Sequence, residues 1–206
     1  SQNIKKITQE TSAHKVFEAI NNFNETSEVR YVGGCIRKII KKEEVDDIDL
    51  ATNLIPTEVC DALKKNKINF YETGIDHGTI TAIIGDQKYE ITTLRKDVST
   101  DGRHAKVEFS LDWKDDSNRR DFSINAIYSD KDGNLFDPHN GKKDIESGIV
   151  KFIGNPEERI QEDYLRILRY LRFFLNYSNN KHEIEIFKTI KRNIGGISKL
   201  SSERLV

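Results

Sequence analysis

The apolar patterning changes at Pro156, and no other feature limits the possible folds as much. Before it, blocks with two-residue alternation are interleaved with blocks at helical spacing; after it only helical spacing remains. The expectation is an α+β domain over residues 1–155, followed by an all-helical domain over 156–206 whose last helix is just beginning at Ser201.

Within the first part, Ala13, Val16, Phe17 and Ile20 predict a helix over Gln9–Asn22. Val29–Val32 reads as a short strand running into Gly33-Gly34 and a helix from Cys35 to about Lys41. Asp47–Ala51 reads as a strand, and Pro56 opens a helix at a first-turn position where its missing N–H costs nothing. Strands are predicted over Gly78–Ile84 and Tyr89–Leu94, joined by a turn at Gly85-Asp86. Arg95–Asp116 is polar and reads as a long mobile loop, and Asp121–Tyr128 as a helix. A small strand pair follows, with turns at Asp132-Gly133 and Asn140-Gly141. In the second part, helices are predicted over Glu157–Asn176 and Glu183–Ile194.

The chemistry centres on Asp47 and Asp49. Residues two apart on a strand share a face, so both carboxylates point one way while Ile48 and Leu50 point the other. That is a site for a hard cation such as Mg²⁺, which takes a few carboxylate oxygens together with substrate phosphates. Gly33 and Gly34 open a helix after a strand, where free N–H groups and the helix dipole favour an anion. Arg37, one turn on, is placed to bind phosphate bidentately. A phosphate cradle beside a metal site is what nucleotidyl transfer requires, with one ion at the attacking 3′-hydroxyl and another at the leaving pyrophosphate. Glu90, on the Tyr89–Leu94 strand, is the candidate third carboxylate.

Two further groups extend the site. In Arg119–Ala126, Asp121 and Asn125 lie four apart and offer an acceptor and an amide to ribose hydroxyls, and Arg119 and Arg120 supply phosphate charge. In Glu162–Phe173, Tyr164, Leu168, Leu171 and Leu175 form a stripe expected to face the core. Glu162, Arg166, Arg169 and Phe173 form the opposite stripe, expected to face a cleft. Asp163 and Arg166 together present an acceptor and a five-donor fork suited to the edge of a nucleobase.

These blocks, in this order, resemble the class II tRNA nucleotidyltransferases, which comprise CCA-adding enzymes and bacterial poly(A) polymerases. Val32–Arg37 with Asp47–Thr52 is similar to the family's first motif, and Arg119–Ala126 to its second. Asp132–Gly141 is similar to the hinge motif between head and neck. Glu162–Phe173 is similar to the motif whose Asp and Arg template ATP or CTP, here Asp163 and Arg166. Arg95–His104 is similar to the flexible loop that helps switch specificity from C to A, and Leu200–Leu205 to the start of the neck's last motif. The resemblance implies a polymerase-β-like head and a helical neck, with Mg²⁺ as cofactor, CTP, ATP and the tRNA 3′ end as partners, and no nucleic-acid template. It also implies body and tail domains or a C-terminal partner chain beyond Val206. The stretch after Asp49 lacks the basic run of the poly(A) polymerases, which favours CCA addition over poly(A), A-only or CC-only addition. Lys38 stands where the family usually has an acidic residue, which bears on how the Arg37 helix is anchored. A rival of another class, a non-catalytic fragment or RNA-binding subunit, leaves Asp47 and Asp49 without a purpose.

A net charge of −1 gives no global sign of nucleic-acid binding, so any basic face must be local. Cys35 and Cys60 show no metal or redox spacing and are expected to be reduced. No apolar run approaches the ~18 residues of a membrane span, and the first ten residues lack a signal-peptide core. The expected location is the cytoplasm, with no membrane partner.

Overall fold

The computed structural model describes residues 2–74, 78–100 and 105–201. Its strands are β1 (Val29–Val32), β2 (Ile48–Thr52), β3 (Asn69–Gly74), β4 (Thr79–Ile84), β5 (Gln87–Thr93), β6 (Arg95–Thr100), β7 (Ala105–Phe109), β8 (Tyr128–Ser129) and β9 (Leu135–Phe136). Seven of them form one sheet in the order β3-β4-β5-β2-β1-β8-β9, while β6 and β7 pair separately. Among the described strands of this sheet, only β2 and β5 pair in parallel. A parallel pair needs a long crossover. Here it is the helix α4 (Pro56–Lys65) with β3 and β4.

The other helices are α1 (Gln2–Glu10), α2 (Ala13–Asn21), α3 (Gly34–Lys41), α5 (Trp113–Arg119), α6 (Gly141–Ser147), α7 (Pro156–Glu162), α8 (Leu165–Tyr177) and α9 (Ile184–Asn193). This is the expected α+β fold with helices flanking a mixed sheet. Along β5, Tyr89 and Ile91 are fully buried while Glu90 is exposed, so one sheet face is core and the other is open. The buried cluster runs without a break from Phe17, Leu50 and Ile91 to Ile160, Ile167, Tyr170 and Phe173. Each such large side chain contributes about 1.5–3 kcal/mol of burial. Phe122 joins the two parts, its ring meeting those of Phe152, Tyr170 and Phe173.

Several elements differ from expectation. The N-terminal helix is two, α1 and α2, separated at Thr11 and Ser12. β3 was not predicted. The described part of Arg95–Asp116 is an antiparallel ribbon followed by most of α5, not an irregular loop. The ribbon stands outside the main sheet, and a Lys96–Glu108 pair 3.6 Å apart bridges its strands. Residues 101–104 of the loop motif, and most of the Leu200–Leu205 motif with the helix expected from Ser201, lie outside the described residues.

The segment 121–128 is not a helix: only Ser123–Asn125 forms a single 3₁₀ turn. Its backbone is satisfied instead by a neighbouring segment, with Ser123 N donating to Lys151 O (3.0 Å) and Ile153 N to Asp121 O (2.9 Å). The helix expected over Glu157–Asn176 breaks at Asp163 and Tyr164, where Asp163 is extended, giving α7 and α8. The break rotates α8, so Ile167, Tyr170 and Phe173 face the core. Leu171 and Leu175 of the predicted core stripe are exposed, Leu175 by 82%.

Candidate active site

β2 and β5 bring the acidic residues together. Their parallel register sets Asp49 directly beside Glu90. Asp47 is exposed just before β2 begins. Burial pushes the Asp49 carboxyl above its ordinary value, Glu90 and Asp47 push the same way, and Arg120 and Arg37 pull against them. Among the described residues none of the three carboxylates forms an ion pair.

The Gly33-Gly34 helix start, the expected phosphate cradle, adjoins Asp49. Gly33 caps α3 at φ 71°, a left-handed conformation open to glycine. A β-carbon on Gly34 would lie 4.0 Å from Asp49 Oδ2 and 3.8 Å from Arg37 Nη2. The bare backbone at the start of α3 therefore sits between Asp49 of β2 and the arginine. Lys38 ion-pairs with Asp46 at 2.9 Å, tying α3 to the loop that leads into β2.

The second group converges, though not by the helical spacing that suggested it. Asn125 Nδ2 donates to Asp121 Oδ1 (3.0 Å), Asn125 Oδ1 accepts from Arg37 Nη1, and Arg169 Nε donates to Asp121 Oδ2 (2.7 Å). Burial raises the Asp121 carboxyl, but the Arg169 charge and the bonds from Asn125 and Phe122 N outweigh it and hold it below its ordinary value. One relay thus runs from α3 to α8. The arginine pair is not free phosphate charge as expected. Asp116, 1% exposed, pairs with Arg119 (2.8 Å) and Arg120 (3.0 Å) and accepts from Tyr128 Oη (2.6 Å). Asp116 was not singled out from sequence, although its i, i+3 and i, i+4 spacing to the two arginines was a readable signal.

At the start of α8, Asp163 Oδ1 accepts from Leu165 N (3.1 Å). Arg166 Nη1 donates to Glu162 Oε2 (2.6 Å) and to Arg159 O (2.7 Å). Asp163 and Arg166 are therefore neighbours across a helix break rather than along one helix. Among the described residues both Arg166 side-chain bonds use Nη1, and none uses the Nη2 edge of the fork. Glu162 also holds Arg159, whose Nη2 donates to the carbonyls of Arg119 and Arg120.

The donor set fits Mg²⁺. No three His, Cys, Asp or Glu side chains among the described residues form a closed ligand cluster. Mg²⁺ needs only one or two carboxylates when phosphate oxygens complete its shell, and Asp47 and Asp49 lie beside the cradle that would supply them. The mutual repulsion at Asp49 is the other mark of a cation site. Cys35 and Cys60 are free and buried, and no described helix is long and apolar enough to cross a membrane.

The description of the poly(A) polymerase head domain matches residues 29–151. Human mitochondrial CCA tRNA nucleotidyltransferase 1 is 43% identical over 184 residues, covering 88% of this chain and 42% of that protein. The structure of the Bacillus stearothermophilus CCA-adding enzyme in complex with CTP superposes with a TM-score of 0.81 at 28% identity, over 96% of this chain and 46% of that one. A tRNA nucleotidyltransferase complexed with a primer tRNA and an incoming ATP analog gives 0.71 at 25% identity, over 98% of this chain and 54% of that one. The chain spans less than half the length of the human relative.

Proposed function

This chain belongs to the poly(A) polymerase head-domain family, within the class II nucleotidyltransferases that include the CCA-adding enzymes, and we propose that it builds CCA on tRNA. It takes CTP and ATP, transfers their nucleotidyl groups to the tRNA 3′ end, and uses no nucleic-acid template. The observation that carries this reading is the β2–β5 register, which sets Asp49 beside Glu90 and against the bare backbone of Gly34.

Each residue group has a part. The N–H groups at the start of α3, exposed by Gly33 and Gly34, hold the triphosphate with Arg37. Asp47 and Asp49 hold Mg²⁺, with Glu90 as the third carboxylate. When bound, Mg²⁺ supplies Lewis-acid activation of the 3′-hydroxyl and neutralises charge on the leaving pyrophosphate. Arg120, fixed by Asp116 and Tyr128, adds positive charge near Asp49. Asp121 and Asn125 orient the ribose region, while Asp163, Arg166 and Arg169 discriminate the base. Residues 1–155 then act as the catalytic head and 156–206 as the base-reading neck.

The test is extension of a tRNA ending before CCA. CTP alone should add two residues, both nucleotides together should complete CCA, and Asp49→Ala should add none. Long A tracts from ATP alone would reassign the chain to poly(A) synthesis. No extension by the wild type under any nucleotide would overturn nucleotidyl transfer.

A further inference from the structure

Arg37 is held from the helical side of the molecule. Its guanidinium carbon lies 4.8 Å from the Phe173 ring centroid and 4.9 Å from that of Tyr177. The two rings stand one turn apart on α8, with centroids separated by 6.1 Å and planes 38° apart, and form a shallow aromatic seat. Asn125 Oδ1 fixes the Nη1 end, while Nε is buried and finds no hydrogen-bond partner among the described residues. An unconstrained arginine spreads over many rotamers, and ordering it on binding costs conformational entropy. Here the rings and the amide have already restricted it.

We propose that Phe173 and Tyr177 are positioning residues that aim Arg37 at the nucleotide triphosphate. This deepens the nucleotidyl-transfer reading and rests on it. α8 also carries Arg166 and Arg169, so the helix that reads the base also aims the phosphate-binding arginine. A displacement of α8 against the sheet moves both ends of the nucleotide site at once. By linkage, triphosphate binding strengthens the contact of α8 with α3 in return.

Phe173 is packed against Phe122 in the core, so Tyr177, only half-buried at the end of α8, is the position to change. Calorimetric titration of the full chain with CTP and with CMP, Mg²⁺ present, separates the triphosphate contribution from the rest. Tyr177→Leu should weaken CTP about fivefold, the scale of a partly desolvated cation–π contact, and leave CMP within about twofold. Tyr177→Phe keeps the ring and should restore CTP binding. In an Arg37→Lys background the same Leu substitution should cost less than about twofold, because its effect runs through the guanidinium. If Tyr177→Leu does not fold, Tyr177→Met, equally ringless, should show the same triphosphate-specific loss. Equal weakening of CTP and CMP, failure of Tyr177→Phe to restore binding, or an undiminished effect beside Arg37→Lys would each overturn the proposal. Wild-type protein that binds no CTP would overturn the nucleotidyl-transfer reading itself. Wild-type protein that binds CTP while Tyr177→Leu binds it equally well would overturn only the role of the rings.

Discussion

Asp49 and Glu90 stand side by side on the sheet, with Asp47 just before β2, and none of the three has an ion-pair partner among the described residues, whereas Asp116 and Asp121 are buried and paired with arginines. The first group repels itself, and burial with Glu90 raises the Asp49 carboxyl. In the second, arginines overcome burial and lower both carboxyls. Carboxylates assembled without a direct ion-pair partner keep oxygens available to a cation that arrives from solution. Carboxylates already matched to arginine form a scaffold that points guanidinium groups in fixed directions. The same residue type thus serves chemistry in one place and geometry in the other.

The sharpest way to break this comparison is Asp47→Ala or Asp49→Ala. In the proposed mechanism each removes a ligand to a metal that the transition state requires, so nucleotide addition should fall by about a thousandfold or more while the fold persists. The check is single-turnover extension at saturating Mg²⁺ alongside circular dichroism. Retention of more than a tenth of the rate, taken as roughly 1.4 kcal/mol of barrier, in both variants would show that these carboxylates are not the metal site.

Asp116→Asn should do the reverse, unfolding rather than silencing. It leaves Arg120 buried with its charge unmatched, and breaking a buried pair costs about 3–5 kcal/mol, measurable by denaturant titration. The pH dependence has a definite sign. A carboxyl held below its ordinary value of 3.8 contributes stability that is complete above that value and is lost as pH falls through the lowered one. The wild type should therefore lose stability below about pH 4 more steeply than the variant.

Much of this contrast could be read from the chain. The closeness of Gly34 and Arg37 to Asp49 was legible because a strand and a Gly-Gly helix start are local patterns, although Asp47, read as the first residue of that strand, lies just before it. Glu90 was a candidate on its strand, but its partnership with Asp49 depends on a parallel register set by the intervening crossover. Asp121 and Asn125 were rightly paired for the wrong reason. Residues 121–129 are buried throughout, so no periodicity could separate a helix from a turn tied to a neighbouring segment. The break at Asp163, where the chain is extended between α7 and α8, reversed the expected roles of Leu171 and Phe173.

Base choice is expected to respond less than catalysis or stability. Asp163→Ala and Arg166→Ala should change discrimination by ~1–3 kcal/mol, since each leaves a base edge facing an unmatched group. The measurement is kcat/KM for all four nucleoside triphosphates. Equal loss across the four would mean that Arg166 serves only its ion pair with Glu162 and its bond to the Arg159 carbonyl, and Asp163 and Arg166 would then belong with the scaffold.

The smallest effect is the most direct comparison of the two acidic groups. The Asp49 carboxyl is raised in the folded state, so its ionised form opposes folding at neutral pH, and that opposition fades as pH falls through the raised value. Asp49→Asn removes the charge at nearly constant volume. Without Mg²⁺ at pH 7 its melting temperature should therefore rise, by about 2 °C if the relief approaches 1 kcal/mol in a domain of this size. Asp121→Asn in the same buffer removes a charge that Arg169 needs, and its melting temperature should fall. Adding Mg²⁺ should stabilise the wild type through preferential binding to the folded state and leave Asp49→Asn nearly unchanged. If both substitutions lowered the melting temperature alike, the Asp49 site would be as well compensated as the Asp121 site. The repulsion that marks it as a place for a metal would then be absent.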